Sequence, residues 1–158
     1  MDVGALDFRS GQAFEQMTFF DEGVDIHHVF PRAWCIKQGI KPGVFNSIVN
    51  KTPLSARTNR ILGGAAPSIY LARLEKGGSA APPIEFGSLE RYVASHGIDP
   101  AAMRADDFDG FMAARREALL GLIEQAMGKS VYRDHVDEAG TAVDDGEAEA
   151  IDAESLAA

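Results

Sequence analysis

The chain has 158 residues, 46% of them apolar, which is enough for one buried core and too little for two comfortable domains. Its 24 acidic against 15 basic side chains leave a net charge of −9; taken over the whole chain this opposes a polyanionic partner, whose binding gains affinity from Lys and Arg. No stretch approaches roughly eighteen apolar residues and Met1 to Ser10 offers neither a basic nor an apolar leader region, so a soluble, cytoplasmic protein with no membrane partner is expected. The single Cys35 excludes an intramolecular disulfide and the paired cysteines of a structural zinc knuckle, so any metal is expected to be catalytic.

Residues 1–23 read as an N-terminal packing segment, with a small turn around Ser10-Gly11 between Phe8 and Phe14 and an apolar Phe19-Phe20 pair. Val24 to Phe30 is a short β-like run ended by Pro31, and Ala33 to Gln38 forms one or two helical turns closed by Gly39. A second extended segment is predicted over Ser47 to Leu54, kept short by Pro53. Ser55 is a good N-cap for a helix from Ala56 to Leu62 that stops at Gly63-Gly64. Helices then follow from Pro67 to about Lys76, from Leu89 to Ser95 behind Ser88, and from about Asp107 to Met127, with a short turn opened by Asp99-Pro100. In the last helix Phe108, Phe111, Met112, Ala118, Leu119, Leu122, Ile123 and Met127 recur at three- and four-residue spacing, which makes it structural. Beyond Asp134 the chain is Ala, Gly, Asp and Glu, so residues 134–158 are expected to be a disordered acidic tail.

The average charge conceals a polarised chain. Between Val24 and Gly64 six basic residues stand against Asp25 alone, a local charge of +5, whereas from Val131 onward Arg133 stands against nine acids, a local charge of −8. The basic window also holds the polar constellation: the adjacent His27-His28 in the first strand, Asn50 in the second extended segment and Asn59 on the short helix, in the order strand, strand, helix. Neighbouring side chains leave a strand on opposite faces, so His27 and His28 converge on one point only if one enters the groove beside the helix and the other approaches from the edge.

These residue types suit phosphodiester hydrolysis. A base must take a proton from water, and His titrates near neutrality. A hard cation such as Mg²⁺ or Mn²⁺ must offset charge on the phosphate, and an Asn carbonyl oxygen and an imidazole are acceptable ligands for such an ion. Taken singly each signal has a plainer explanation: Asn50 as a turn former, Arg57 and Arg60 as a solvated helix face, Trp34 and the Phe residues as core, Cys35 as a small buried apolar group, and His96 and His135 as incidental. Gly128-Lys129-Ser130 ends a helix and lacks the earlier glycine of a phosphate-binding loop, so it carries nothing.

The string DIHHVFP followed by SIVNKTPLSARTNRILGG resembles the HNH (ββα-metal, or His-Me finger) nucleases. The recurrence of Asn50-Lys51 as Asn59-Arg60 nine residues later is similar to the HNH domain of RNA-guided CRISPR nucleases. The wider run, including WCIKQGI, APSIYLARLE and ADDFDGFMAARREALLGLIEQAMGK, resembles the C-terminal nuclease region of GmrSD-like modification-dependent restriction proteins, over about residues 8–133. The resemblance implies an α+β fold in which residues 24–64 form a ββα-metal core wrapped by a helical extension over residues 65–133. It implies that His28 is the general base, that Asn50 orients the loop or the base as part of the catalytic set, that His27 and Asn59 hold a divalent metal, and that Lys51, Arg57 and Arg60 lie beside the DNA phosphate. His27 stands where many members carry Asp, so Asp25, on the same strand face, is a substitute ligand. The 22 residues from His28 to Asn50 require an insertion around Trp34 to Phe45.

The expected function is therefore a metal-dependent endonuclease acting on DNA in restriction or phage defence. In such systems the nuclease is joined to an NTPase and modification-sensing module, which 158 residues cannot also encode; the chain is then truncated, a split subunit with a separate partner, or free-standing. The rival reading is a catalytically inactive or truncated nucleic-acid-binding fragment that needs a partner subunit. A third is an antitoxin-like regulator acting through the acidic tail.

Overall fold

The computed structural model of the chain describes residues 4–14, 23–79 and 81–133. The acidic tail over residues 134–158, His135 and the Phe19-Phe20 pair lie outside the described residues. The fold is α+β, with helices around one small antiparallel sheet. No helix among the described residues is long and apolar enough to cross a membrane.

Strand β1 (Asp25–His28) pairs with β2 (Lys51–Leu54) so that Asp25 faces Leu54, Ile26 faces Pro53, His27 faces Thr52 and His28 faces Lys51. The expected long second strand is interrupted: the hydroxyl of Ser47 accepts the Val49 amide and starts a 3₁₀ turn, Ile48–Asn50, before β2 begins. The reason is local, since a Ser side chain that satisfies a nearby backbone amide favours a turn over a ladder. The insertion between the strands folds into two short helices, α1 (Arg32–Lys37) and α2 (Pro42–Phe45), joined through Gly39 at φ 72°.

Helix α3 (Ala56–Leu62) starts behind Ser55, whose hydroxyl oxygen accepts the Thr58 amide at 3.2 Å. Helix α4 (Pro67–Lys76) packs on it, and its first turn is held by Asp106, which takes the Ser68 amide and hydroxyl at 2.9 and 2.7 Å. Helix α5 runs over Phe86–Ala94, three residues ahead of the start predicted behind Ser88. It begins where Pro82-Pro83 end, and burial of Leu89 and Val93 fixes its face, so packing overrides the cap signal. Helices α6 (Pro100–Arg104) and α7 (Phe108–Met127) complete the chain, each opened by an Asp side chain that accepts a first-turn amide.

The core is centred on Phe30, whose ring lies 4.9 to 5.3 Å from Phe111, Trp34 and Phe108. Leu54, Leu62, Tyr70, Leu71, Leu89 and Met103 surround that cluster. The N-terminal segment is part of the core: Phe8 is fully buried, and Leu6 bridges to Ala13 around a turn. Gly11 sits in that turn at φ 64°, against the Tyr92 ring, where any Cβ would overlap the ring carbons. Only the first half of α7 is buried. Leu122, Ile123 and Met127, read from their spacing as structural, are 56, 46 and 61% exposed.

Candidate functional site

The two-stranded ladder brings the histidine pair and Asn50 to one end of the sheet. Beyond His28 the ladder continues by one bond, the Val29 amide donating to the Asn50 carbonyl at 2.9 Å. The side chain of Asn50 is fully buried. Its Oδ1 accepts the Phe30 amide at 2.8 Å, and its Nδ2 donates to the carbonyls of Phe30 and Phe45, both at 3.0 Å. One carboxamide thus ties the chain leaving β1 to the end of α2, closing the insertion into a fixed loop.

Two further buried side chains grip the same stretch. The Tyr70 hydroxyl, from α4, donates to the Val29 carbonyl at 2.8 Å. Burial, reinforced by Asp106, pushes that phenol well above its ordinary value, so it stays a donor at neutral pH. Arg115, from α7, spans Asn50 from the other side, its Nε and Nη2 each donating at 3.2 Å to the carbonyls of Val49 and Lys51. Burial lowers its guanidinium to about 10, and its Nη1 is enclosed with no hydrogen-bond partner among the described residues. Neither Tyr70 nor Arg115 belongs to the constellation read from the sequence. Arg115 had a signal there: it lies seven residues after Phe108, on the face that Phe108, Phe111 and Met112 bury.

His28 is half-buried, its ring edge-on to Phe45 with centroids 6.1 Å apart. Its Nε2 lies 3.0 Å from Asn46 Oδ1. Since that oxygen can only accept, Nε2 donates to it, and Nδ1 makes no hydrogen bond among the described residues. Asn46 is a third residue that the sequence reading missed; it lies in the insertion, where nothing in spacing marks it. Lys51 stands directly across the ladder from His28 and therefore on the same face.

His27 leaves the strand on the other face, opposite Thr52. Thr52 is buried, and its hydroxyl donates to Nδ1 of His96, whose Nε2 donates to the Leu6 carbonyl at 2.7 Å. His96 is thus a buried link between β2, the end of α5 and the N-terminal segment. Burial dominates its titration and holds it down to about 4, so it is neutral there. Asp7 performs a similar task at the start of α3. It accepts the Ser55 amide at 3.1 Å and the Thr58 hydroxyl at 2.8 Å. Burial raises its carboxyl, but the hydrogen bonds from Thr58, Ser55 and Ser10 outweigh that and leave it below its ordinary value.

The residues expected to hold a metal have uncommitted donor atoms. His27 is half-buried, and neither its imidazole nor the half-buried Asn59 carboxamide on α3 makes a hydrogen bond among the described residues. Asp25 is exposed, with one oxygen taking the Ile26 amide at 2.7 Å. These donor types suit a sparsely ligated divalent ion that retains water, but the ladder places His27 and Asp25 on one face and His28 on the other, so it does not bring the histidine pair to one point. No three His, Cys, Asp or Glu side chains cluster among the described residues, so protein donors to such an ion would be few. Arg57 and Arg60 project from α3 and are exposed. The chain matches no family model, no curated protein and no solved structure.

Proposed function

We propose that the chain is a metal-dependent endonuclease of the HNH type, hydrolysing DNA phosphodiester bonds in a restriction or phage-defence setting. The observation that carries this reading is the junction of β1 and β2: His28 with an open Nδ1, Lys51 across from it, and Asn50 buried beside it as a clamp, with a Ser55-capped helix bearing Asn59 following directly. In this reading residues 24–64 are the ββα-metal core. His28 takes a proton from water through Nδ1, the resulting hydroxide attacks phosphorus, and the bond to the 3′ oxygen breaks, that oxygen taking a proton from solvent. Lys51 supplies positive charge on the same face as the base, and Arg57 and Arg60 hold the backbone without reading sequence. His27 and Asn59, with Asp25 as the substitute ligand, would hold Mg²⁺ or Mn²⁺, which when bound offsets charge on the phosphate. DNA is chosen over RNA by analogy with the family alone.

A second reading is favoured by the ladder, which sets His27 and His28 on opposite strand faces: an inactive or truncated nucleic-acid-binding fragment that depends on a partner subunit, such as an NTPase that senses modification. Nicking of supercoiled plasmid with Mg²⁺, Mn²⁺ or EDTA separates the two, with His28→Ala purified in parallel. The nuclease reading expects metal-dependent nicking and a loss of about 10² to 10⁴-fold in the variant. Equal nicking by the variant removes His28 as base; no nicking with either ion, on modified or unmodified DNA, leaves the second reading.

A further inference from the structure

Helices α3 and α4 pack side by side and enclose an open cleft of about 550 Å³ lined by Arg57, Arg60, Ile61 and Arg73. Three guanidinium groups from two helices therefore face one space, and no acidic side chain lines it. This occurs in a chain that carries more acids than bases. None of the three arginines forms an ion pair among the described residues, whereas Arg104, by contrast, is bound by Glu75 and Glu90. Glu75, two residues beyond Arg73, is committed to Arg104 at 2.6 Å. Like charges three residues apart on a helix repel, so Arg57 and Arg60 cost stability where they stand unless an anion joins them. A second cleft of about 180 Å³ shares Ile61 and Arg73 and leads on to Gly77, Gly78 and Ser79. The two clefts adjoin at Ile61 and Arg73, and the rest of the smaller one is lined by Leu74, Gly77, Gly78, Ser79 and Ala81.

We propose that this cleft is a phosphate-binding site for a nucleic-acid backbone and that Arg73, on a helix the nuclease motif does not include, is one of its contacts. The inference rests on the nucleic-acid reading above, but not on catalysis. The recognised chemistry is the phosphodiester anion, gripped by guanidinium forks that match its oxygens. Three guanidinium groups spread over two helices favour a chain of phosphates over a single one.

The test is binding of a short fluorescent DNA duplex to the full chain in EDTA across a salt series, with wild type, Arg73→Gln, Arg73→Lys, the triple variant R57Q/R60Q/R73Q, and Arg116→Gln as a control outside the cleft. Each phosphate contact contributes about 0.9 to the slope of log affinity against log salt. Arg73→Gln should therefore flatten the slope by about 0.9 and weaken binding about eightfold at about 0.1 M salt. The triple variant should lose about 2.7 in slope, while Arg73→Lys and Arg116→Gln keep the wild-type slope. Inorganic phosphate alone should compete only weakly. An unchanged slope in Arg73→Gln, no duplex binding by wild type at low salt, or saturable binding of inorganic phosphate that excludes the duplex would each overturn the assignment. Failure of the nuclease reading is distinguishable: plasmid nicking would be absent with every metal while duplex binding kept its dependence on Arg73. All variants are at exposed positions, so matched circular dichroism melts are expected.

Discussion

Replacing Asn50 by alanine removes three hydrogen bonds from a fully buried position. The Phe30 amide and the Phe45 carbonyl lose their side-chain partner, whereas the Phe30 carbonyl keeps a weak donor in the Cys35 thiol at 3.5 Å. Two buried backbone groups stranded at about 1–3 kcal/mol each give an expected loss of about 2–6 kcal/mol. Set against a total stability of about 5–15 kcal/mol for a domain, that is a large fraction. At about 2–4 °C per kcal/mol, the melting temperature should fall by roughly 4–24 °C. Asn50→Asp should be no better, because it keeps an acceptor for the Phe30 amide but turns a carboxylate oxygen towards two carbonyls. Urea unfolding followed by circular dichroism measures the loss, and amide exchange at Val29 and Phe30 localises it. If Asn50→Ala unfolds within about 0.5 kcal/mol of wild type, the range of inconsequential surface changes, the clamp argument fails.

Two other outcomes follow from the same geometry. His96 titrates at about 4 in the fold against an ordinary 6.5, so the unfolded chain binds the extra proton first; stability should be level above pH 6.5, fall by roughly 3 kcal/mol between 6.5 and 4, and level off below. Urea unfolding across that range should lose this slope in His96→Gln, and a slope equal to wild type would assign the acid sensitivity elsewhere. On the proposed nuclease reading, Asn46→Ala should lower the kcat of plasmid nicking about tenfold with KM and melting temperature unchanged, since it frees the ring of the proposed base without removing it; an unchanged kcat removes Asn46 from the orientation of His28.

Much of this architecture was legible from local signals. Ser55 as an N-cap and Gly63 as a stop bound α3 to the residue, and Pro67 and Asp107 open their helices as read. The two extended segments were read from short β-like runs marked by Pro31 and Pro53, while their pairing followed only from the family resemblance. What escaped was set by tertiary contact. Asn46 and Tyr70 act on His28 and Val29 from 18 and 41 residues away, and no periodicity encodes such a distance. Arg115 was hidden differently: a charged residue on an apolar stripe reads as a break in the pattern, yet at that position it must be buried, and burial is affordable there because two carbonyls receive its protons. His96, read as incidental, is a buried hydrogen-bonded link, which the Gly97 beside it did not reveal. The apolar spacing of α7 overreached, since a repeat of Leu and Ile states that a face is apolar and not that anything covers it.

A two-stranded ladder of four residues per strand is marginal by itself in water, so it cannot hold His28 in a fixed orientation unaided. The stiffness must come from outside the sheet, and the buried polar groups show from where. Asn50, Tyr70 and Arg115 all bind backbone atoms within two residues of the sheet's histidine end, and they reach it from three different elements. None binds the imidazoles. This division immobilises the chain that carries His27 and His28 without occupying their ring nitrogens, as the proposed site would require. It also gives α7 two unlike halves: its first two turns hold the hairpin through Phe111 and Arg115, and its last turns, with Leu122, Ile123 and Met127 exposed, contribute nothing to that support. Truncation of α7 beyond Gly121 should therefore be tolerated far better in urea unfolding than any substitution of Arg115 itself, because the removed turns expose Leu122, Ile123 and Met127 already while the lost guanidinium strands two carbonyls.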